Sequence, residues 1–329
     1  MDPQLQQKLM LFGGFIPGGL AFAGLLIGWY IHAFRESRTD LDDKDERRTP
    51  SPGPRWLLPI LFTLGIAGTE YAINSKLYLW PDDNTYRYTH AIALIALVGV
   101  AEGLVVLPLF AAFIMRLLAY AGAFWMLSEG FTDTVLGGST NLIAYTLFAG
   151  LATALVATGA ERNATQNHHE RRLGWLDAIT WVLIIGAMMP VLFANHFATG
   201  AMIPGGVIAV LSSTIIVGLI FRSLSIARGG ITVLCGFVMM LLTGSFVQVG
   251  ADNLPSVLLI SILLLVPLIP LHTPSRVKRL ITRLVLIAIV GGTGVLFAMG
   301  PKLDAWPGNS ADPDAPEDAS LEDYYNSLE

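Results

Sequence analysis

AIALIALVGVAEGLVVLPLFAAFIMRLLAYAGAFWMLSEGFTDTVL, residues Ala91 to Leu136, decides the fold. A helix rises about 1.5 Å per residue and the hydrocarbon core of a bilayer is about 30 Å thick, so one crossing needs about 20 apolar residues. This stretch is about twice that long. Within it lie Glu102, Pro108 and Arg116, the one strong base. The pattern predicts two crossings joined by a tight hairpin between Pro108 and Arg116, with Arg116 anchoring the turn at the inner interface.

Working outward, further apolar segments run from Leu9 to Phe34, Trp56 to Trp80, Leu142 to Ala160, Gly174 to Asn195, Ala201 to Phe221, Gly229 to Val249, Val257 to Leu271 and Leu280 to Gly300. Together they predict an all-α, polytopic integral membrane helical bundle of about ten transmembrane helices. Ala21-Phe22-Ala23 resembles a signal-peptide cleavage site, but Asp2 offsets Lys8 and the apolar run continues past it, so the segment reads as a retained span. The organisation expected is residues 1–34 as N-terminus and first span, 35–55 as a charged, Pro-rich loop, 56–300 as the rest of the bundle, and 301–329 as an acidic tail. The loops ERNATQNHHERR and HTPSRVKR are read as basic connections on one side.

Composition agrees. Of 329 residues 53% are hydrophobic and 14% charged, where soluble proteins carry about 25% charged residues, so an ordinary soluble domain is excluded. Cys235 is the single cysteine, which removes any intrachain disulfide framework. The net charge of −5 comes from the tail, and the bases sit at the ends of apolar runs, so no nucleic-acid partner is expected; the lipid bilayer is. Hydrolase and nucleotide motifs such as HExxH, GxSxG and GxxxxGK[ST] are lacking. The six histidines stand near span ends or in a loop, so no metal, haem or other cofactor is expected.

Orientation follows from Lys and Arg, which cytoplasmic loops retain. Ten spans put 15 of them on one side and only Lys8, Lys76, Arg87 and Lys302 on the other, with Arg116 at the hairpin. A single crossing over Ala91 to Leu136 would destroy that asymmetry. The expectation is a cell membrane, a bacterial inner membrane, with both termini outside the cytoplasm.

Internal repetition is also visible. Ile16-Pro17-Gly18-Gly19 recurs as Ile203-Pro204-Gly205-Gly206, with Phe34-Arg35 and Phe221-Arg222 at the same offset. Leu107-Pro108-Leu109 with Arg116 is matched by Ile269-Pro270-Leu271 with Lys278. These suggest two parallel four-helix units, residues 9–136 and 201–300, against chance matching in a Gly- and Pro-rich chain. Pro17, Gly18, Gly19, Pro204, Gly205 and Gly206 are accordingly candidate helix interruptions, the alternative being close helix packing.

Charges inside the membrane are costly and mark ion or proton paths. Glu70 and Glu102, counted from the outer loop between them, come out at similar depth and are the candidate transport or proton-relay pair. Asp177 is read as interfacial, Lys76 as reaching outward, and Glu129 and Asp133 as meeting water. Two functions stay open: a secondary transporter or ion-coupled carrier using these carboxylates, and a non-catalytic membrane subunit or scaffold. A membrane enzyme is third. The tail from Leu303 to Glu329 holds eight acids and no base. Its composition predicts disorder, while Leu321, Tyr324, Tyr325 and Leu328 share one helical face that could dock on a basic membrane or extracytoplasmic protein partner.

Overall fold

A computed structural model of the chain describes residues 3–42, 54–77, 87–171, 174–195, 197–221, 224–249, 254–271 and 275–303. The acidic tail with its docking face, the Pro-rich part of the first loop and the outer polar loop between the second and third spans lie outside these residues.

The described chain is helical throughout: α1 (Pro3–Met10), a π-helical turn (Leu11–Phe15), α2 (Ile16–Asp42), α3 (Leu57–Asn74), α4 (Tyr88–Leu104), α5 (Leu109–Ser128), α6 (Ser139–Arg171), α7 (Gly174–Ala194), α8 (Ala198–Met202), α9 (Pro204–Ile220), α10 (Gly230–Val249), α11 (Leu254–Ser261) and α12 (Arg276–Leu303). Among the described residues eight helical segments are long and apolar enough to cross a membrane, and two shorter apolar helices, Tyr88–Leu104 and Leu254–Leu268, fall where the third and ninth spans are expected. The protein is a polytopic helical membrane bundle. The apolar window of α10 is 89% buried while those of Gln4–His32 and Val277–Met299 are 22% and 28% buried, so α10 forms the centre and the first and last spans form the perimeter.

Several boundaries depart from the sequence reading. The central hairpin turns at residues 105–108, ahead of the expected interval, because Val105 is extended (φ −127°, ψ 140°) and Pro108 starts the next helix. Arg116 therefore lies inside α5 and is buried rather than anchoring the turn. Helix α3 stops at Asn74, short of Trp80, where Ser75 takes a left-handed conformation with φ 56°. The charged segment after Phe34 continues as helix to Asp42, and ERNATQNHHERR, read as a loop, is helical through Arg171. No Pro or Gly interrupts that second segment, and its Asn163 and Asn167 side chains bond the backbone of Leu268 and Leu271 across the bundle. Gly137 and Gly138 turn the chain into α6 with φ 70° and 124°, and the Asn141 amide donates to the Leu136 carbonyl at 2.7 Å.

Both Ile-Pro-Gly-Gly segments coincide with a helix irregularity. The first follows the π-helical turn, and in the second Pro204 opens α9 after the short α8. They meet across α3. A Cβ on Gly206 would lie 2.0 Å from the Gly65 carbonyl oxygen, and one on Gly68 would lie 2.5 Å from the Phe12 carbonyl. Ser213 donates to the Gly18 carbonyl at 2.8 Å. Small residues here let three backbones approach, which is the packing role these motifs perform in this conformation.

Candidate functional site

The site is built where α4 ends. Gly99 and Gly103 flank Glu102 on that helix, and each gives way to a neighbouring backbone: a Cβ on Gly103 would be 2.6 Å from Trp56 Cα, and one on Gly99 would be 2.9 Å from the Gly229 carbonyl oxygen. Gly229 itself has φ 98°, in the left-handed region that favours glycine. These contacts bring the start of α3, with Arg55, and the start of α10, with Arg228 and Thr232, onto Glu102.

Glu102 and Arg116 form a side-on pair, Nε to Oε1 at 2.7 Å and Nη2 to Oε2 at 2.9 Å, with 5% and 3% of the residues exposed. Thr232 Oγ1 donates to Glu102 Oε2 at 2.6 Å, and Arg116 Nη1 donates to Thr158 Oγ1 at 3.1 Å. Tyr120 Oη steadies the Thr232 segment by donating to its carbonyl at 2.8 Å. Both oxygens of the Glu102 carboxylate are thus engaged, by three hydrogen bonds in all, as a charge removed from water requires.

Beside this knot stands Glu161 of α6. Its Oε1 accepts the Arg228 backbone N–H, and its Oε2, shielded from solvent, has no hydrogen-bond partner among the described residues. Arg55 is buried, and its Nε and Nη1 likewise have none among them. Burial first, and then the charge of Arg228, pushes its guanidinium down to about 10, with Glu161 opposing the shift. A cleft of about 270 Å³ opens between the hairpin and α6, lined by Glu102, Arg116, Glu161, Arg162, Thr165 and Arg228 on its polar side and by Val105, Val106 and Leu109 on its apolar side.

Glu70 is elsewhere. It accepts the Thr89 backbone N–H at 3.1 Å and the Thr89 hydroxyl, so it serves the uncapped start of α4. Thr89 and Glu102 are 13 residues apart on α4, about 20 Å along the axis. The two carboxylates therefore occupy opposite ends of α4 and do not face each other. Counting from the ends of the outer loop misjudged Glu70, because α3 ends one turn after it.

A second buried knot ties the same end of the bundle. Asp177, expected at the interface, is 4% exposed and accepts from Arg283 Nη1 at 2.9 Å and from the Asn167 amide at 3.1 and 3.2 Å. Arg283 also donates to Thr180 at 3.1 Å and to the Ile269 carbonyl. This arrangement closes α6, α7 and α12 on one another and leaves no open polar group, so it reads as a structural lock. At the other end Arg87 bonds the exposed Glu129 carboxylate at 3.1 Å, and Lys76 is exposed as expected.

Sequence reasoning missed Glu161, Arg55, Arg228 and Thr232. The available signal was the lack of a helix breaker after Glu161, which makes a mid-helix carboxyl out of an apparent loop acid. Comparison of the chain with protein-family models, with curated proteins and with solved structures yields no match.

Proposed function

We propose that this protein is an ion-coupled secondary carrier of a cell membrane, an inner membrane in a bacterium, whose coupling group is Glu161 and whose fixed charge pair is Glu102 with Arg116. The observation that carries the reading is the buried, unpartnered Glu161 Oε2 on the wall of an open cleft. A buried carboxylate oxygen without a donor is costly, and a proton or a cationic group removes that cost. Exchange between the two at one oxygen couples two fluxes in a carrier that reorients only with that oxygen occupied. The satisfied Glu102 and Arg116 pair supplies rigidity next to it. The distribution of bases among the loops supports a cytoplasmic side for this cleft, with both termini outside.

Proteoliposomes loaded with a pH-sensitive dye and challenged with solute and lipid-extract pools test the proposal. Wild-type protein should move protons only when cargo is present, and Glu161→Gln should abolish that movement at unchanged reconstitution. Equal proton movement in the variant would refute it. The second reading, a scaffold or subunit that meets a protein partner through the acidic tail, is favoured by the eight acids after Lys302, and it predicts no cargo-dependent proton movement in either protein.

A further inference from the structure

With Glu102 committed to Arg116 and Thr232, the charged groups left at the cleft are Glu161, whose Oε2 is shielded from solvent and unpartnered, and the guanidiniums of Arg162 and Arg228, which have no side-chain partner among the described residues. A third source of positive potential is the start of α5. Pro108 provides no side-chain cap there, and Leu109 and Ala112 of that first turn line the cleft. The positive end of the helix dipole and its free N–H groups attract an oxyanion. One lip of the cleft is apolar and exposed, with Val105 at 59%, Val106 at 70% and Leu109 at 67%. A turn made only of Val, Val, Leu and Pro is suited to hydrocarbon rather than water.

We infer that the cargo is a zwitterionic amphiphile whose head joins a phosphate to a primary ammonium. The phosphate lies between Arg162, Arg228 and the start of α5, the Glu161 carboxyl turns its shielded Oε2 toward the cleft to accept from the ammonium, and the apolar chain leaves over Val105, Val106 and Leu109 into the bilayer. Guanidinium and phosphate match in geometry and charge. A primary ammonium carries N–H donors that a quaternary ammonium lacks, and the unpartnered oxygen requires a donor. The inference rests on reading this cleft as the carrier's cargo site.

The test uses the purified full-length protein, delipidated in dodecyl maltoside and offered equimolar phosphatidylethanolamine, phosphatidylcholine and phosphatidylglycerol of identical chains, with bound lipid counted by native mass spectrometry. Soluble phosphoethanolamine is titrated in parallel as a competitor. Phosphatidylethanolamine should be retained about tenfold or more over the other two, the value of one charge-assisted hydrogen bond. Glu161→Gln should erase that preference, and Arg162→Gln with Arg228→Gln should lower retention of all three. Equal retention of the three lipids, a preference unchanged in Glu161→Gln, or displacement by soluble phosphoethanolamine at lipid concentrations would each overturn the inference. Loss of the preference with Glu161-dependent proton movement intact refutes this cargo and leaves the carrier standing. Selective retention without any proton movement refutes the carrier and leaves a lipid site.

Discussion

Replacing Arg116 by Met should be among the most damaging single substitutions in this protein. The change deletes two charge-assisted hydrogen bonds to Glu102, of 2.7 and 2.9 Å, and one to Thr158 of 3.1 Å. Glu102 is left buried with the Thr232 hydroxyl as its remaining partner. Removing one member of a buried ion pair costs about 3–5 kcal/mol, mostly through the charge that stays behind. Glu102→Met strands the Arg116 guanidinium in the same way and should cost a similar amount. The double variant removes both charges and fills the space with apolar side chains, so it should lie within about 1–2 kcal/mol of wild type, the residual loss coming from the Thr158 and Thr232 hydroxyls. Unfolding of the four proteins in mixed micelles of dodecyl maltoside and sodium dodecyl sulfate gives the double-mutant cycle. A coupling of about 3 kcal/mol or more is expected, and additivity within about 0.5 kcal/mol would refute the pairing and the site built on it.

Two further outcomes are expected. Gly206→Ala sets a methyl 2.0 Å from the Gly65 carbonyl oxygen and should lower stability in the same micelle assay by about 1–3 kcal/mol, whereas Gly19→Ala, which meets nothing within 4 Å, should change it by no more than about 1 kcal/mol; equal effects would show that the three-helix junction at α3 is not tightly packed. In a Cys235→Ser background, a membrane-impermeant thiol reagent should label Asp133→Cys in intact cells and spare Lys278→Cys, both positions being exposed at opposite ends of the bundle, and labelling at 278 would reverse the orientation.

Of the bases whose distribution sets the expected orientation, Arg55 and Arg283 in the inner set of 15 and Arg87 in the outer set of four are buried. Removing two from the first set and one from the second leaves 13 against 3, so the loops still differ strongly.

Sequence alone determined the class of the protein and the approximate places of its spans, because the hydrocarbon core demands an apolar length that no polar contact can replace. It also singled out Glu102 as costly, since a charge in such a segment needs a partner, whereas Arg116 read as an interfacial anchor. Which partner was a tertiary matter. Arg116 follows Glu102 by 14 residues, across a turn whose position depends on one extended residue and one proline, and its long side chain reaches back to a carboxylate that depth counting had assigned to Glu70. Glu161 on α6, and Arg228 and Thr232 at the start of α10, lie far along the chain; the close approach of Gly99 and Gly229 seats the latter two on Glu102, and Glu161 joins them through the Arg228 N–H. Apolar length is a local property that each segment carries by itself, whereas the pairing of buried charges depends on which backbones can touch, and that is decided by the packing of the whole bundle.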